Sequence, residues 1–161
     1  MNWKLVVIGG LVFYIVTWIV GAATGPLIHN GVLLPLYKEN AEHWRPELNQ
    51  DPPDMAALMP RWITTGLIGA FLTAFVYGWV RPAFSGPGWK KGLKFGFAAW
   101  LLNLVWFLGW SGVFDLPDEI WLWWALDALL YSLVAGIALG WVAAKLAPEG
   151  TGHGGTAPAA A

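Results

Sequence analysis

Ile120-Trp-Leu-Trp-Trp-Ala-Leu-Asp-Ala-Leu-Leu-Tyr-Ser-Leu-Val-Ala-Gly-Ile-Ala-Leu-Gly-Trp-Val-Ala-Ala144 runs for 25 residues with one charge, Asp127, and no proline. At about 1.5 Å per residue, a helix of this length exceeds a hydrocarbon core of about 30 Å. Three more stretches of comparable character lie upstream, Leu5–Thr24, Ile63–Val80 and Leu93–Phe114. All four are continuously apolar, without the alternation of a half-buried strand. Only helices or a closed barrel satisfy every backbone group in lipid. The sequence therefore predicts an all-α polytopic membrane protein, four transmembrane helices in an antiparallel bundle.

Composition agrees with that reading. Hydrophobic residues make up 57% of the 161 residues and charged residues 12%, about half the charged share of ordinary soluble domains. A soluble fold of this size has too little interior for so much apolar surface. The chain has no cysteine, which excludes disulfides, thiolate catalysis and Cys-ligated metal centres. A net charge of −1 gives no basis for binding nucleic acid.

Punctuation divides the chain. Gly25-Pro26 is read as the end of the first span, Pro60-Arg61-Trp62 as the start of the second and Arg81-Pro82 as its close; Leu116-Pro117-Asp118 separates the third from the fourth. The expected organisation is a membrane domain over 1–147, with a long extracytoplasmic loop at 26–61 and a flexible cytoplasmic tail at 148–161. Within the loop, Pro35 is expected to precede a short helix, Leu36–Trp44, and Met55–Met59 to form a separate turn on the membrane surface. Gly21-Ala22-Ala23 resembles a signal-peptide cleavage site. The apolar run before it exceeds the usual stretch of about 7–15 residues, so an uncleaved span is expected.

Lysine and arginine set the orientation. Lys4, Arg81, Lys90, Lys91, Lys94 and Lys145 fall on one side of the four spans, and only Lys38, Arg45 and Arg61 on the other. With the six inside, both termini are cytoplasmic and the chain belongs in a bacterial inner membrane. Tryptophans at 3, 79, 89 and 141 then fall near the inner boundary, and those at 62, 110, 121, 123 and 124 near the outer one, as an anchoring belt.

Small residues at a spacing of four let helices approach closely in lipid. The second span offers Gly66, Ala70, Ala74 and Gly78; the fourth offers Ala128, Ser132, Gly136, Gly140 and Ala144. Gly92 and Gly96 in the third span and Gly21 and Gly25 at the end of the first complete the set. Packing within one bundle accounts for them more simply than a dimer interface.

Asp127 is the residue that demands an explanation. An acid near the centre of a span costs roughly 2.5–3.5 kcal/mol on insertion scales, so it should face the interior, pair with a donor, or stay protonated. Asn103 and Tyr131 are the candidate partners, with Tyr14, Thr17 and Thr73 as further donors. A structural clamp accounts for one isolated acid better than a proton or cation relay does. In the external loop, His29, Glu39 and His43 are a candidate divalent-metal set. No His-Glu-x-x-His pattern supports them, and Lys38 stands four residues from Glu42, so a solvated acidic cap is the simpler expectation. With no histidine assigned to a span, no axial haem or chlorin ligand is expected, and no cofactor is predicted.

Trp3-Lys4-Leu5-Val6, Lys91-Gly92-Leu93-Lys94-Phe95-Gly96 and Ala125-Leu126-Asp127-Ala128-Leu129-Leu130-Tyr131 resemble segments of a group of uncharacterised small bacterial four-helix membrane proteins. That resemblance implies the topology and carries no activity, and the long 26–61 loop departs from it. The functional expectation is a non-enzymatic membrane protein, an accessory or scaffold subunit of a membrane assembly or a small homo-oligomer, with the bilayer and other membrane subunits or itself as partners. A small transporter or channel using Asp127 and Asn103 is the alternative. A periplasm-facing metal-dependent enzyme is the weaker one.

Overall fold

The computed structural model describes residues 2–148, and the tail beyond them, including His153, lies outside the described residues. Helices and the short connections between them make up the described residues, with no strand, and four of the helices are long and apolar enough to cross a membrane. These are Leu5–Val32, Met55–Ala83, Gly88–Ser111 and Asp118–Leu146.

The first span comprises a π-helical turn at Leu5–Gly9, α1 at Gly10–Leu27 and a second π-helical turn at Ile28–Val32. The expected stop at Gly25-Pro26 is therefore corrected: the helix passes through Pro26. Proline withholds one N–H, and helices in an apolar setting tolerate this where local adjustment satisfies the freed carbonyl. Past the proline the helix widens into the π-helical turn, which is closed by Leu33 N donating to Ile28 O at 2.8 Å.

Two further boundaries differ from expectation. α2 is Leu34–Glu39, with Pro35 in its first turn, and the chain then tightens into a 3₁₀ turn at Ala41–His43. Because α2 ends at Glu39, Lys38 and Glu42 do not share a helical face, and Glu42 Oε1 lies 3.7 Å from His43 Nδ1 instead. The Met55–Met59 turn is the opening of α3, Met55–Val80, started by the Asp54 carboxylate accepting from Ala57 N at 3.1 Å. Pro60 lies inside that helix, and Thr64 Oγ1 donates to the Pro60 carbonyl at 2.8 Å. α4 is Gly88–Ser111 and α5 is Asp118–Leu146. Asp118 and Glu119 occupy the first turn of α5, where the helix dipole favours negative charge.

α5 is the central element. It buries 39% of its most apolar stretch, against 17–22% for the other spans, and it packs on both α1 and α4. A Cβ on Gly88, Gly92 or Gly96 would run into the backbone carbonyl of Gly140, Gly136 or Ser132 respectively. Numbers rise along one helix as they fall along the other. In α3, Gly66 faces the Tyr14 ring, Ala70 and Ala74 are buried, and Gly78 is in ordinary contact with Leu5. Gly21 and Gly25 depart from the expected close packing: a Cβ on either meets nothing within 4 Å.

Two apolar clusters lie at opposite ends. One joins Leu5, Ala74, Tyr77, Phe95, Leu139 and Ala143. Beside it, Asn2 Nδ2 donates to Leu146 O at 3.0 Å, and the Arg81 guanidinium donates to the carbonyls of Ala143 and Ala147 at the end of α5, where cations are favoured. The other cluster joins Ile28, Leu33 and Ile120, flanked by Leu36, Tyr37, Trp44 and Trp124. This second cluster carries the polar site.

Candidate functional site

The continuation of the first helix past Pro26 decides the site, because it carries His29 alongside α5. His29 Nε2 lies 3.3 Å from Asp127 Oδ2. His29 Nδ1 lies 2.8 Å from the Tyr37 hydroxyl, which in turn accepts from Trp124 Nε1 at 2.7 Å. Trp44 Nε1 donates to the Tyr37 carbonyl at 2.8 Å and fixes the backbone that holds the phenol.

Donor counting orders this chain of bonds. An indole N–H only donates, so Trp124 gives its hydrogen to the phenol oxygen. The phenol has one hydrogen to pass on, and His29 Nδ1 can accept it. Nε2–H is then available to Asp127 Oδ2. These bonds place a proton on Nε2, a position inferred from the hydrogen-bond pattern and not observed. Burial pushes the Tyr37 phenol above its ordinary value, the Trp124 hydrogen bond pulls it down, and the nearby Asp127 carboxylate raises it further.

Asp127 is buried, with 8% of its surface exposed, and its second oxygen, Oδ1, has no hydrogen-bond partner. The side chain forms part of the wall of a cavity of about 600 Å³ between three spans. Trp18 and Gly21 come from α1, Trp62 from α3, and Asp127 and Tyr131 from α5, with His29 at the same wall.

The expected site residues meet different fates. Asp127 is interior and paired, but its partner is His29, which had been assigned to the external loop. The statement that no span holds a histidine is corrected by the same fact, since His29 lies within Leu5–Val32. Asn103 is partly buried and makes no hydrogen bond with Asp127; α4 reaches α5 there through Trp100 Nε1, which donates to Ala125 O at 2.8 Å. Tyr131 shares the cavity wall with Asp127. Thr17 and Thr73 donate to carbonyls of their own helices, Tyr14 O and Gly69 O.

His29, Glu39 and His43 do not converge. Glu39 is exposed on α2, His43 faces Glu42, and the described residues hold no group of three His, Asp or Glu side chains that could bind a metal ion. Sequence reasoning missed Tyr37, Trp44 and Trp124 as members of the site. The signal available was the apolar run Gly31–Leu36 after His29-Asn30, which continues the first span beyond its proline.

The fold and site define a helical protein with four segments able to cross a membrane and a buried aspartate paired with a part-exposed histidine. Comparison with known proteins found no matching family, curated protein or solved structure.

Proposed function

We propose that this chain is an inner-membrane protein of a bacterium, an antiparallel four-helix bundle with both ends and the 81–94 loop cytoplasmic and the 26–61 segment outside. Its role is that of a non-catalytic accessory or scaffold subunit in a membrane assembly or small homo-oligomer. The observation that carries this reading is the seam between α4 and α5, where the glycines of α4 sit directly on the backbone of α5. Leu5, Ala74, Tyr77, Phe95, Leu139 and Ala143 form an apolar cluster toward the same end of the bundle. Such a seam is rigid, because lipid-embedded helices held at backbone contact have no side chains to rearrange. The outward side of α4 meanwhile presents Leu102, Val105, Trp106 and Leu108, each about two-thirds exposed, to lipid or to a neighbouring subunit.

Purification in mild detergent followed by native mass measurement tests this. The expected result is a discrete assembly, with itself or with co-purifying membrane subunits. A monodisperse single chain at all protein concentrations would count against it.

A transport role is the second reading, and one observation favours it: Asp127 has a basic partner in His29, which a lone acid lacks. Under this reading Asp127→Asn alters flux in proteoliposomes while the protein still folds. The α4–α5 seam argues the other way, because its backbone contact leaves no room for a path between those two helices.

A further inference from the structure

We propose that the cleft between α1, α3 and α5 binds an organic ammonium ion, a protonated amine carried on an apolar body, with Asp127 as its counter-ion. The polar end of the cleft provides the first reason. Asp127 is more than nine-tenths buried, gives Oδ2 to His29 and keeps Oδ1 without a partner. A buried acceptor left unpaired is destabilising, and an ionised donor satisfies a carboxylate better than a neutral one does. Oδ1 is itself sealed off, so the ammonium ion meets the carboxylate at Oδ2, which holds His29 with one lone pair and has another to offer.

The remaining walls select the rest of the ligand. Trp18, Trp62 and Tyr131 line the same space, and aromatic faces attract a cation within about 6 Å. No lysine or arginine lines it, so an anion would meet only the Asp127 charge. A bare metal ion would find one carboxylate and one imidazole, short of a coordination shell. The volume of about 600 Å³ lies within the range of about 300–1,000 Å³ typical of small-molecule sites. Gly21 keeps the α1 wall open: a Cβ there meets nothing within 4 Å, so no packing reason requires the glycine.

Isothermal titration of the whole chain in maltoside micelles tests the inference at pH 7.5, with empty micelles as the blank. The probes are 2-phenylethylammonium and its neutral counterpart 2-phenylethanol. The expected result is saturable binding of the ammonium at one site per chain, with the alcohol at least about tenfold weaker. Gly21→Leu, whose Cβ meets nothing within 4 Å, puts a side chain on the cleft wall and should abolish binding while the thermal transition stays in place. Asp127→Asn should weaken the ammonium at least about tenfold and leave the alcohol unchanged. Absence of saturable ammonium binding in the unaltered chain overturns the proposal, as does equal binding of the two probes or undiminished binding in Gly21→Leu. The probe contrast in the unaltered chain decides the matter even where Asp127→Asn does not fold. Oligomeric state plays no part in the measurement, so the scaffold reading stands or falls separately.

Discussion

Asp127 and His29 lie 98 residues apart, and each explains the other. The acid was identifiable from the sequence as a buried group in need of a partner, because one carboxylate in 25 apolar residues has no cheaper place to go. Its partner was not identifiable, because the proline before His29 reads as a helix end wherever water competes for the backbone. Tyr37 is the residue on which the network turns. Tyr37→Phe removes an acceptor for Trp124 and a donor for His29 at once, and we expect a loss of about 1–3 kcal/mol, read from denaturant unfolding in detergent. Trp124→Phe should cost less in the Tyr37→Phe background than alone, since the two share one bond. The phenol also sets a pH limit. Its folded value lies above the ordinary 10.0, so its contribution is complete below pH 10 and is lost as pH rises through the folded value. The 295-nm titration of the native protein should lose a late-ionising tyrosine in Tyr37→Phe.

At the scale of elements, the glycines separate into two kinds that spacing alone does not distinguish. Gly92 and Gly136 face each other's backbone, whereas Gly21 and Gly25 face open space. Gly92→Ala or Gly136→Ala forces α4 away from α5, with an expected cost of at least about 1–3 kcal/mol. Gly21→Ala should leave stability within about 0.5 kcal/mol. Thermal unfolding of the three variants in one detergent checks both statements. Of the expected span ends, Leu5 and Val80 coincide with the observed ones, whereas Thr24, Ile63, Leu93 and Phe114 do not. Prolines 26 and 60 read as a helix stop and a helix start, yet the helices continue through both, since each proline removes only one N–H from its ladder. Periodicity gave four spans; it was silent on which residues meet across them.

For the whole molecule, the charge asymmetry between loops is the feature that sequence states most directly and that geometry alone leaves without direction. The chain has no cysteine, so introduced thiols report without background. Asp51→Cys and Ser85→Cys both fall on exposed residues. A membrane-impermeant maleimide is expected to label the first in intact spheroplasts and the second only after lysis. The reverse pattern would invert the proposed orientation and move the cleft to the cytoplasmic half.

The central place of α5 carries a consequence for biosynthesis. A ribosome delivers this helix after the other three spans, yet it is the one against which α1 and α4 seat and whose terminal carbonyls Arg81 and Asn2 grasp. Until it inserts, α4 has lost its chief neighbour, and its glycine face lies bare to the translocon or to lipid. Nascent chains stalled before Asp118 should consequently be shorter-lived than the full chain in a pulse-chase measurement.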